Sequence, residues 1–319
     1  MFDCHRIAVS ACGLLLALAG CDQVFGLDRG PDEPPRLRDL VMSEVATELV
    51  VDGEDLFWLT ADEIRSCQLA ACSPRTLLAG LAMPVALRVV GDQVQYAEAT
   101  EVYRVPRIGG AQSLVVPATG NGRSVTSFLQ LQNHLYFTHD RISRCNYDPA
   151  GICGATSVMF DEIVGPIVAD PSQRIWGGGT SAGQSGVYVI NAADTTAAQL
   201  QLVSTSAAPV RAIAASAPRV FAIQTTTADV LEWPAAAAPD TQPAVAMFVT
   251  APSVIAVDAS TVWVASAEGE VWRRRLVGGP ETTVLVFKDS VVIRALAVGT
   301  DEAIVALDDR IAAFDVPAL

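Results

Sequence analysis

Lysine is almost absent: the 21 basic residues include a single one, Lys288. Schiff-base chemistry or a phosphate-cradling loop would need it, yet it stands in VFKDS with no glycine-rich loop before it. Histidine is nearly as scarce, with three in 319 residues, and they form no cluster with metal-ligand spacing. A calcium loop of the D-x-D-x-D-G type is missing as well. No metal and no cofactor are therefore expected. Positive charge is short overall, because 35 acidic residues leave a formal net charge of -14. That balance excludes a basic nucleic-acid footprint and adhesion to anionic lipid by charge alone. Helical periodicity is missing beyond the opening residues.

Two stretches match catalytic patterns in spelling but not in context. Gly179-Thr180-Ser181-Ala182-Gly183 reads G-x-S-x-G, whose chemistry needs a strand-to-helix turn that exposes the serine over an oxyanion hole. It lies between RIWG and GVYVI with no helix pattern, so a hairpin loop is expected, and a dinucleotide fingerprint is excluded on the same ground. His139 follows a strand in FTHDR beside Asp140, while His134 lies in a turn. Chain neighbours seldom face one another and no nucleophile is identified, so both histidines are expected on solvated hairpins.

Apolar residues are plentiful, at 51% with a mean hydropathy of +0.35, enough for a large core. The chain opens with His5 and Arg6, an apolar run from Ile7 to Ala19, then Gly20 and Cys21. A run that short cannot span a bilayer of roughly 30 Å as a helix, so it reads as an export signal. Leu18-Ala19-Gly20-Cys21 resembles the bacterial lipobox. That resemblance implies a signal at residues 1–20 and a lipid-bearing N-terminal cysteine at Cys21, whose acyl chains anchor the protein to a membrane. Residues 21–37 are rich in proline, glycine and charge, the composition of a flexible tether.

Seven cysteines divide accordingly. Cys4 and Cys12 fall in the signal and Cys21 is used for lipid, which leaves Cys67, Cys72, Cys145 and Cys153. An even count in an exported chain points to disulfides, and two local pairs are the simplest connectivity. Bridges this short each contribute about 2 kcal/mol by loop entropy.

The strongest signal is a repeat. VVDGEDLFWLT, VVGDQVQYAEA, LQNHLYFTHD, VADPSQRIWGGG, AASAPRVFAIQ, AVDASTVWVAS and AVGTDEAIVAL share a strand, a polar turn and a second strand. Taking an apolar residue after each turn as anchor gives Leu56, Val94, Leu135, Ile175, Val220, Val262 and Ile304, spaced 38 to 45 residues apart. Four short strands per unit of this length is the period of a propeller blade. The expected fold is all-β, a β-propeller over residues 38–319 with seven blades, or six plus a degenerate unit. RDLVMS, residues 38 to 43, matches an outer strand and would complete the last blade. Segments such as VIAVDASTVWVASAEGEVWRRRLVGG resemble the NHL and YVTN-type propellers, and the cysteine hairpins resemble a group of bacterial propeller lipoproteins. Those likenesses imply fold and hardly function.

In such a propeller the loops joining second and third strands gather on one face around the central channel. They carry Asp62, Glu63, Glu98, Glu101, Asp140, Asp229, Glu268, Glu270, Asp308 and Asp309, a candidate surface for a cationic ligand, a metal ion or a basic partner. No assembled catalytic set is visible. The expected function is a monomeric, lipid-anchored binding or scaffold module for a protein or glycan of the cell envelope. It would sit at the outer membrane or the periplasmic face of the inner membrane. The alternatives are a propeller hydrolase or lyase with its site spread over several blades, and a sensor of a small ligand or metal.

Overall fold

The computed structural model describes residues 37–118, 122–147, 151–161, 165–181, 183–191, 201–205, 209–225, 227–238, 240–277, 282–299 and 302–315. The signal, Cys21 and nearly all of the tether lie outside the described residues, as does Ala182 of the G-x-S-x-G spelling.

The described chain is almost entirely antiparallel strand. It starts with β1 (Leu37–Met42), then β2 (Glu48–Asp52), β3 (Asp55–Leu59), β4 (Glu63–Gln68) and β5 (Arg75–Ala79). Next come β6 (Pro84–Val90), β7 (Gln93–Glu98), β8 (Glu101–Pro106) and β9 (Ser113–Val116). The third group is β10 (Ser127–Leu131), β11 (His134–Thr138), β12 (Arg141–Tyr147) and β13 (Cys153–Asp161). The fourth is β14 (Ile167–Ala169), β15 (Arg174–Ser181), β16 (Gln184–Asn191) and β17 (Gln201–Thr205). The fifth is β18 (Val210–Ser216), β19 (Arg219–Gln224), β20 (Asp229–Pro234) and β21 (Ala244–Phe248). The sixth is β22 (Pro252–Val257), β23 (Thr261–Ser266), β24 (Glu270–Arg275) and β25 (Thr283–Lys288). Last are β26 (Ala295–Val298), β27 (Glu302–Ala306) and β28 (Arg310–Asp315).

Six sheets take their four strands in chain order, and the seventh is ordered β1-β28-β27-β26. Each first strand touches the next, from β2 to β6 and onward through β26, which returns to β2. The fold is thus a seven-bladed β-propeller with the first strands lining the axis. The N-terminal strand closes it: Leu37 pairs with Phe314 and Val41 with Ile311, so β28 has no free edge.

Alternation explains the core. Each blade presents apolar side chains to both neighbours, and seven clusters fill the seven gaps between blades. Phe57 and Ile64 of the first blade meet Val94 and Tyr96 of the second, for example. The residues read as repeat anchors are all fully buried. In the first six blades they face the preceding blade, but Ile304 faces the first blade, and Ala303 takes the equivalent place. The last turn closes from Gly299 to Glu302 as the sixth blade's closes from Asp258 to Thr261, so Ala303 is the counterpart of Val262 and Ile304, one position further on, points to the other face.

Both expected disulfides are present, Cys67–Cys72 and Cys145–Cys153. Each spans the connection from the third to the fourth strand of its blade, and a short 3-10 turn (Leu69–Ala71) sits inside the first. Glycine-rich β15 has a packing cause. A side chain at Gly178 would run into Val210 of the next blade, and one at Gly165 would run into the Gly178 carbonyl.

Candidate functional site

The loops between second and third strands emerge where the first strands begin, since Glu48 pairs with Leu59 and Ser127 with Thr138. On this face the channel mouth holds a cavity of about 350 Å³ with walls from five blades. Glu48, Ala86, Arg88, Thr126, Ser127, Gly165, Pro166 and Arg211 line it. Glu48 accepts hydrogen bonds from the Leu87 amide at 2.6 Å and from Arg88 at 2.9 Å, which ties the first two blades together. Behind the wall, fully buried Thr138 shares its one hydroxyl hydrogen between the carbonyls of Ser127 and Gly165, at 3.2 and 3.1 Å, and lies 3.0 Å from the Thr126 hydroxyl. The wall is therefore rigidly cross-braced.

Next to Thr138 stands an arrangement not expected for chain neighbours. His139 Nδ1 meets the Asp140 carboxylate, and its Nε2 lies 3.2 Å from Ser143 Oγ. The order Asp-His-Ser is that of a serine-activating relay. His139 is 4% exposed and Ser143 3%, so a substrate carbonyl has no approach to Oγ. The trio acts as a clamp on this turn. Burial raises the Asp140 carboxyl, but hydrogen bonds from His139 and Arg141 outweigh it and hold the group down at about 2.

The ten acidic residues sit in or beside these loops, and most are committed locally. Glu63 pairs with Arg65 at 3.6 Å, Glu98 accepts from the Ala82 amide at 2.6 Å, and Glu101 accepts from the Tyr103 hydroxyl. That bond, with burial behind it, pushes the Tyr103 phenol up to about 12. Asp140 is shared with Arg123 and Arg141 besides His139. Glu270 pairs with Lys288 at 2.7 Å, Asp308 with Arg294 at 2.7 Å, and Asp309 with Arg310 at 3.4 Å. Asp62, Asp229 and Glu268 make no ion pair, and Asp62 and Glu268 are exposed. Among the described residues no three His, Cys, Asp or Glu side chains group closely enough to hold a metal ion.

Arg88, Arg211, Ser127 and Thr126 are the residues that reading the sequence missed. For the two arginines the signal was a charged residue inside a first strand, in LRVV and VRAI, where apolar residues are the rule. On the opposite face a second cavity of about 420 Å³ is lined by Pro171, Ser216, Asp258 and small residues. The Asp258 carboxylate there is spent on the Ser260 and Thr261 amides and Trp263 Nε1.

Fold and cavity together define a seven-bladed propeller with a polar pocket at its channel mouth. No family model matches the chain, and no curated protein does. Solved structures match in fold. Virginiamycin B lyase from Staphylococcus aureus superimposes with a TM-score of 0.70 at 13% identity, covering 88% of this chain and 99% of that one. The extracellular domain of the putative one component system BT4673 from B. thetaiotaomicron gives 0.65 at 8%, over 90% of this chain and 41% of that one. A structure described as YCF48 bound to D1 peptide gives 0.64 at 14%, over 92% and 99%. At these identities the likeness carries the fold and nothing finer.

Proposed function

We propose that the chain is a lipid-anchored binding module of the cell envelope, working through the face that carries the loops between second and third strands. The observation behind this reading is the channel-mouth cavity, which has walls from five blades and draws polar side chains from four of them onto that face. The unpaired acids Asp62, Asp229 and Glu268 lie on the same face and suit a partner with basic groups at its rim. Two disulfides agree with an oxidising compartment, and no helix among the described residues is long and apolar enough to cross a membrane. Attachment would then come from lipid at Cys21, with the partner an envelope protein or glycan.

The fold also serves a lyase, the extracellular domain of a putative one component system and a peptide-bound protein among its structural neighbours. Among the described residues a catalytic reading rests on the His139 relay, whose serine is closed to substrate. The test is capture by cross-linking from the native envelope with the full-length protein. Wild type retains a stoichiometric partner, and charge reversal at Asp62, Asp229 and Glu268 together abolishes it. Unchanged capture by the triple variant overturns the assignment of this face, and Cys21→Ser remaining in the membrane fraction overturns the anchor.

A further inference from the structure

Arg211 is the one basic side chain among the described residues that makes no hydrogen bond, ion pair or ring contact. It is also the bulged residue of β18: Val210 pairs with Gln224 and Ala212 with Ile223, which leaves Arg211 without a ladder partner. A bulge re-aims the side chain it carries. Ala86 is a bulged residue of β6, one ladder step further along its strand, between the paired Val85 and Leu87, and lines the same cavity. The two bulges thus turn Arg211 and the Ala86 segment toward the channel mouth.

A second polar group points the same way. Ser127 is 6% exposed, and its Oγ accepts the Ile167 amide at 3.3 Å while its own hydrogen finds no acceptor among the described residues. Glu48, by contrast, has both oxygens occupied, one by Leu87 and one by Arg88. The cavity therefore holds one carboxylate and two guanidiniums, an excess of one positive charge within a chain of net charge -14. A guanidinium fork matches a planar carboxylate in a bidentate way. A dianion would meet Glu48 and the acidic loops, so the field favours a single negative charge.

We propose that the channel-mouth cavity binds a small monocarboxylate, its carboxylate seated on the Arg211 fork and the Ser127 hydroxyl. The inference rests on this face being the binding face.

Isothermal titration of the full-length protein tests it with D-glucuronate and N-acetylalanine, which present a carboxylate on a sugar and on a peptide unit. D-glucose and N-acetylalaninamide are the uncharged counterparts. At least one acid binds saturably with a Kd of about 1 mM or tighter, and neither uncharged compound does. Arg211→Gln weakens that binding about tenfold or more, since it removes a charge-assisted pair, and leaves the melting temperature unchanged because the side chain is exposed. Arg75→Gln, which alters an arginine bound to Ser66 outside the cavity, leaves binding as in wild type. The acid that binds identifies the source of the carboxylate. Two silent acids, equal binding of the uncharged compounds, or an Arg211→Gln variant that binds like wild type each overturn the proposal. Partner capture from the envelope that persists alongside silent acids removes the anion site alone.

Discussion

Cys145 stands directly across the β11–β12 ladder from Leu135, just as Cys67 stands across from Leu56 in the first blade. In the other blades Val105, Ile190, Trp233, Arg274 and Phe314 take that slot, facing the preceding blade. The cysteine sulfur is therefore a core atom as well as a cross-link. Replacing Cys67 and Cys72 by alanine should cost about 2 kcal/mol from loop entropy, read as a lower melting temperature. Serine at Cys145 and Cys153 should cost about 1–3 kcal/mol more than alanine there, because Cys145 is buried among apolar groups and a hydroxyl would lack a partner.

Closure by β1 is the second point of leverage. Val41 is buried against Ile311 and also packs on the first blade's side of the gap. Val41→Asp should lower stability by about 3 kcal/mol or more, since it buries an unpaired charge. The freed edge of β28 should also promote self-association, visible by light scattering. A monomeric variant that melts like wild type would show that the ring holds without its latch.

Gly178 makes the third prediction. A methyl group there meets Val210, so Gly178→Ala should cost about 1–3 kcal/mol through overpacking. Because Val210 precedes Arg211, the same change should also weaken carboxylate binding. Gly53→Ala, at an open turn with positive φ, should cost about 1 kcal/mol and leave binding alone. Calorimetry and titration on the two variants separate the effects.

Asp140 supplies the pH dependence. Its folded carboxyl titrates at about 2, below the ordinary value near 3.9, so its contribution is complete above pH 4 or so and is lost as pH falls toward 2. Asp140→Asn should therefore melt below wild type at pH 6, with the gap closing by about pH 2. An equal gap at both pH values would mean that His139, Arg141 and Arg123 do not stabilise the charged form.

The blade count and the closing strand were legible because a buried residue after every turn repeats at nearly constant spacing. The last blade misled by one position, since its turn is followed by the small Ala303, which faces the sixth blade, and the larger Ile304 behind it drew the reading instead. The Asp140–His139–Ser143 chain was hidden because adjacency along a strand argues against contact, whereas a tight turn folds the imidazole back between the two. The cavity was hidden for another reason. A bulge at Arg211 leaves no mark in composition, and Glu48 and Arg88 meet only once two blades are side by side. Acids such as Glu270 and Asp308 looked free because their partners lie 18 and 14 residues away.

The most direct test of the working face is photo-cross-linking in the native envelope. A photoreactive amino acid is placed at Glu268 on the face of the channel-mouth cavity, or at Ala259 in a turn on the opposite face. Adducts to a discrete partner should form from position 268 and not from position 259. Adducts from 259 alone, or from neither position, would contradict the account.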